Sequence, residues 1–140
     1  MGEIQNTVVT HTGKMSFEVL QNDHTIKLDA AVEGGGEGAG MRPKALILSA
    51  LAGCTAMDIV SLLNKMKIPF SNFVVKVDGE LTEEHPKFYH KVALVYFIHL
   101  ENETDKDKME KVVHLSQEKY CGVSEMVRKF AQLEFKIEYV

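Results

Sequence analysis

The chain has 140 residues, 26% of them charged and 45% apolar, with a formal net charge of −4. That size and balance fit one soluble domain, residues 1–140, large enough to bury a core. Interleaved acids and bases with no basic patch argue against a nucleic-acid partner. No uninterrupted apolar run approaches the roughly 18 residues of a membrane span. The start, MGEIQNTVVT, lacks the basic residues and apolar stretch of a signal peptide. A cytoplasmic protein with no membrane partner is expected.

Residues 4–11 and 15–20 read as short strands around Gly13, and HTIKLDA alternates after the turn signal Gln21-Asn22-Asp23. An antiparallel meander with one wet face follows. Residues 33–40, EGGGEGAG, hold five glycines in eight positions. No GK[ST] follows, so this is not a Walker loop. The Gly34–Gly40 loop reads as a flexible linker or as a mobile lid.

Met41–Ile68 is the longest apolar-periodic run. Pro43 suits a first helical position. Leu46, Ile47, Ala50, Leu51, Cys54, Met57, Asp58 and Ser61 share one face, while Leu48, Ala52, Ala56, Ile59, Val60 and Leu63 make the other face apolar too. A helix apolar nearly all round predicts a buried central helix. Its cluster of small residues, 49–53, permits close approach by another helix or chain.

Residues 73–81 and 88–100 are the strongest strand signals and predict a hairpin beneath that helix. A further helix begins at Thr104 or Asp105, with acids first and lysines later as the dipole favours. It is expected to break at Gly122, with Ser124 as cap of a second piece running to about Phe130. LEFKIEYV closes the chain as a strand. The order is βββ-α-ββ-α-α-β, an α+β fold with helices packed on antiparallel sheets.

Two cysteines are too few for a disulfide scaffold. From the residues alone, Cys54 is either an inert core thiol or half of a redox pair with Cys121. Arg42 precedes Pro43 and is one of only two arginines in the chain. It offers a fixed cation able to stabilise a thiolate. Asp58, one turn after Cys54, would disfavour that thiolate. His11, His24, His85, His90, His99 and His114 are scattered without ligand spacing, so no metal and no cofactor are expected. Nor does any histidine single itself out as the base of a Cys-His-Asp hydrolase.

RPKALILSALAGCTAMDIVSLL resembles the central helix of the OsmC/Ohr family, in which a proline precedes a cysteine by eleven residues, as Pro43 precedes Cys54. SQEKYCGVSEMV resembles the family's second cysteine segment and maps its resolving thiol onto Cys121. The resemblance covers essentially the whole chain. It implies the OsmC-like fold, with antiparallel sheets around a long central helix in an intertwined homodimer. It also implies a thiol peroxidase. Cys54 would attack an organic hydroperoxide and become a sulfenic acid, and Cys121 would resolve it as a disulfide. A small dithiol or lipoyl-type reductant would then restore both thiols.

In the peroxidase branches a glutamate follows the proline and holds an activating arginine from the N-terminal sheet. Here that position is Lys44, followed by Ala45, and no arginine precedes Arg42. The resemblance is therefore to an OsmC-like branch apart from the Ohr-type peroxidases proper, with Arg42 as the activating cation. The same departures favour the alternative, an OsmC-fold protein that binds a small apolar or thiol-reactive ligand without turnover.

Overall fold

The computed structural model describes residues 2–140. The chain forms two compact units, one reaching to Ile47 and the other Leu48–Val140.

In the first unit β1 (Val8–Gly13), β2 (Ser16–Gln21) and β3 (His24–Leu28) form the expected antiparallel meander, in the order β1-β2-β3. Asn22 and Asp23 take φ of 47° and 64°. Two successive left-handed residues give the turn whose twist matches an antiparallel pair, and Asn and Asp tolerate that conformation best after glycine. Val9, Val19 and Ile26 line up as one cross-strand row.

The glycine segment is not a flexible linker. After a 3-10 turn at Val32–Gly34 it curls around one carboxylate. Asp29 accepts hydrogen bonds from the backbone N–H groups of Ala30, Glu37 and Ala39 at 2.8, 3.1 and 3.1 Å. Those amides hold its carboxyl below the usual range, with the Ala39 bond the largest cause. Close packing explains the residue type. A Cβ on Gly36 would collide with the Ala30 carbonyl, and one on Gly40 would lie 2.8 Å from the Lys27 oxygen. The segment then returns to β3, where Met41 N–H donates to Lys27 and Asp29 N–H to Met41.

The second unit has one sheet. Its strands are β4 (Phe70–Leu81), β5 (Tyr89–Leu100) and β6 (Gln132–Tyr139), in the order β4-β5-β6. β4 and β5 form the predicted hairpin. β6 runs parallel to β5, placing Phe135 beside Leu94 and Ile137 beside Tyr96. The expectation of purely antiparallel sheets is corrected here. The helical crossover of α2 (Lys106–Leu115) and α3 (Gly122–Arg128) carries the chain back far enough for a parallel return.

The long helix α1 runs Leu46–Lys65, and its body lies in this unit. By length and hydropathy it could cross a membrane. Its buried stripe marks it as a core helix. Leu51, Thr55, Ile59 and Leu63, each four residues after the last, pack with Val92, Leu94, Tyr96 and Ile98 of β5 and Met109, Val112 and Val113 of α2. The opposite flank is open, with Ala50 and Ser61 exposed and Met57 76% exposed. The expectation of burial all round fails because the single sheet of this unit covers one side only. Gly79 of β4 permits the close fit on that side: a Cβ there would stand 2.6 Å from the Tyr89 ring and 2.9 Å from Leu48.

Candidate active site

Cys54 lies on the shoulder of the α1 stripe, between buried Leu51 and Thr55, and is half-buried. Cys121 lies between α2 and α3 and is 3% exposed. Residues 116–120 are wound more widely than an α-helix, and the Cys121 N–H reaches back five residues to the Ser116 carbonyl at 2.7 Å. This turn aims the second thiol inward. Cys54 Sγ, Cys121 Sγ and a carboxylate oxygen of Asp58 all lie within 4.8 Å of one another.

The short helix α3 serves both sulfurs. The Ser124 N–H donates to Cys121 Sγ at 3.3 Å, so Cys121 itself caps this helix. That corrects the expectation of Ser124 as cap. The Val123 amide favours the anionic form of Cys54, but other causes outweigh it. Burial pushes the Cys54 thiol up, and the neighbouring Cys121 and the Asp58 charge push the same way. Asp58 therefore acts on the thiol in the sense its spacing implies.

Arg42 belongs to the first unit, where its guanidinium donates to the Gly40 carbonyl at 2.8 Å. His90 and His99 are exposed on β5. His90 faces Glu80 at 2.9 Å, and His99 pairs with the Val140 carbonyl at 2.7 Å.

Behind the thiols runs a chain of polar groups that the sequence reading missed. Thr55 Oγ1 lies 2.7 Å from Tyr96 Oη and 2.8 Å from Ser116 Oγ. Ser116 donates to Asp58 Oδ2 at 2.9 Å, and Gln117 Nε2 donates to Tyr96 Oη at 2.6 Å. Counting protons fixes the direction. Each hydroxyl has one hydrogen. Ser116 gives its own to Asp58, so Thr55 must donate to Ser116 and Tyr96 to Thr55. The chain therefore runs Gln117, Tyr96, Thr55, Ser116, Asp58, and every donor points toward the carboxylate. Burial pushes the Tyr96 phenol up, keeping it a donor. Among the described residues two buried atoms are left over without a partner, Gln117 Oε1 and Ser124 Oγ.

A signal for this chain exists in the sequence. Thr55 is the one polar residue in a four-residue apolar stripe, and Tyr96 occupies an inward position of β5. A hydroxyl in such a place needs a partner.

Residues 34–136 match the family described as OsmC-like protein. The chain is 33% identical over 98 residues to Protein YhfA of Escherichia coli K12, covering 70% of this chain and 72% of that protein. The OsmC-like protein from Mycoplasma pneumoniae superposes with a TM-score of 0.81 at 16% identity, over 100% of this chain and 99% of that one. An organic hydroperoxide resistance protein OsmC from Legionella pneumophila superposes at 0.68 with 20% identity, over 97% of each chain.

Proposed function

This chain belongs to the OsmC-like protein family, and we propose that it is a thiol-dependent peroxidase acting on organic hydroperoxides in the cytoplasm. The observation that carries this reading is the approach of two free thiols to within 4.8 Å. Cys54 is the more accessible sulfur and the attacking one. Its thiolate takes the distal peroxide oxygen, the O–O bond breaks, and the alkoxide leaves as an alcohol after gaining a proton. Cys121 then attacks the sulfenic sulfur and releases water, leaving a Cys54–Cys121 disulfide. That bond needs the sulfurs at about 2.05 Å, so resolution requires an approach that the turn before α3 can supply. An external dithiol of the lipoyl type returns two electrons by exchange.

The thiol must be activated against its surroundings, and Arg42 is the cation we assign to that task. Removing it should slow oxidation about tenfold, equivalent to about 1.4 kcal/mol of barrier. The open α1 flank around Ala50 and Met57 supports a homodimer, which sedimentation equilibrium would test.

The upward push on Cys54 favours a second reading, a non-catalytic protein that binds a small apolar or thiol-reactive ligand through the same thiols. One assay separates the two. Reduced protein is mixed with cumene hydroperoxide or hydrogen peroxide and free thiols are counted. Rapid loss of both thiols with cumene hydroperoxide, abolished in Cys54→Ser, supports the peroxidase. Survival of both thiols in excess peroxide favours the binding protein.

A further inference from the structure

We propose that the reduced site also binds a thiophilic divalent metal of the zinc class, through Cys54 Sγ, Cys121 Sγ and one carboxylate oxygen of Asp58. This goes beyond the peroxidase reading and does not depend on it.

Geometry supports the set first. Zinc holds thiolate sulfur at about 2.3 Å and carboxylate oxygen at about 2.0–2.2 Å, so tetrahedral ligand atoms stand about 3.5–3.8 Å apart. The three atoms here are already within 4.8 Å of one another, and closing on a metal needs movements of about 1 Å. Three protein ligands leave the fourth position open, the arrangement of reactive rather than purely structural zinc sites.

An outer layer of hydrogen bonds is already built. Ser116 donates to Asp58 Oδ2, and the Thr55 and Tyr96 hydroxyls behind it are directed the same way. This is the only hydrogen bond that Asp58 accepts among the described residues, so its other oxygen remains available as a ligand. The Ser124 amide holds Cys121 Sγ. Partners of this kind orient metal ligands and are often worth tenfold or more in affinity.

Charge points the same way. Two ionisable thiols and a carboxylate converge on one point, a donor set whose combined negative charge a bound cation would offset. Binding is balanced without redox change. Two thiols lose protons to solvent, two metal–sulfur bonds form, and Asp58 ligates through one carboxylate oxygen. Metal and disulfide need the same sulfurs and exclude each other.

The test uses the full reduced chain and no peroxide. Cadmium is titrated while the sulfur-to-metal charge-transfer band is followed, and zinc is titrated against a chromogenic chelator with proton release measured in weak buffer. The expected result is one metal and two protons per chain, with affinity falling at least tenfold in Asp58→Asn and in Cys54→Ser. No charge-transfer band, or affinity unchanged in Asp58→Asn, would overturn the site. X-ray absorption at the zinc edge on the unaltered protein guards against misfolded variants. Two sulfur and two lighter scatterers support the set, whereas four sulfurs or none contradict it.

Discussion

Asp29 and Asp58 are carboxylates in different regions that have been put to different uses. Asp29 spends its acceptors on three backbone N–H groups and fixes the glycine segment around itself. Asp58 accepts one hydroxyl at the end of a directed chain and stands beside two sulfurs. A carboxylate whose acceptors are filled by backbone organises a loop. One with acceptor capacity left over is available to chemistry, and it also shapes the charge that a neighbouring thiol feels.

The sharpest way to break this contrast is to remove each in turn. Asp29→Ala orphans three amides at once and should give the largest fall in Tm of the substitutions named here, by several degrees in thermal unfolding, while the alkylation rate of Cys54 stays unchanged. The same loss should appear with acid. The Asp29 carboxyl is held below its ordinary value, so its contribution is present above that value and disappears as the pH falls through the lower folded-state one. The stability gap between the parent and Asp29→Ala should therefore begin to narrow as the pH falls below about 4 and be smallest below the depressed folded-state value.

Thr55→Val tests the other region. The change keeps the shape but interrupts the chain between Tyr96 and Ser116, at a cost of about 1–3 kcal/mol in chemical denaturation. Asp58→Asn keeps an acceptor for Ser116 and should cost less than about 1 kcal/mol. It removes a like charge beside Cys54, so alkylation at neutral pH should rise severalfold. A stability loss as large as that of Asp29→Ala would erase the distinction between the two carboxylates.

The smallest effect lies in the pH profile of the parent chain. Burial is the main cause of the upward push on Cys54. Its alkylation rate should reach half its maximum above the ordinary thiol value of about 8.5. A midpoint below that value would show that a cation already reaches the sulfur.

Much of this was legible in the residues. The order of elements, the long helix and the hairpin come from periodicities of 3.6 and 2 that any packed face must display. The four-residue stripe Leu51, Thr55, Ile59, Leu63 was partly hidden because both faces of α1 are apolar, and composition does not say which one the sheet takes. The parallel return of β6 was hidden because an alternating strand has the same pattern in either direction. The glycine segment misled because glycine permits a tight wrap as readily as a flexible tether. What decides between them is Asp29, whose partners lie up to ten residues away. The Tyr96–Thr55–Ser116 chain joins residues 41 and 61 positions apart, a relation that local patterns do not carry. Cys121 displaced Ser124 as the cap because the wide turn at 116–120 shifts the start of α3.

We propose that Cys54 and Cys121 act as one peroxide-driven pair. The most direct measurement is peptide mapping by mass spectrometry, without reduction, after one equivalent of cumene hydroperoxide is added to the reduced chain. The expected product is a cross-linked peptide pair joining Cys54 to Cys121, lighter by two hydrogens, that dihydrolipoamide reverses. Uncross-linked peptides, with both thiols intact or with oxygen added to Cys54 alone, would contradict it.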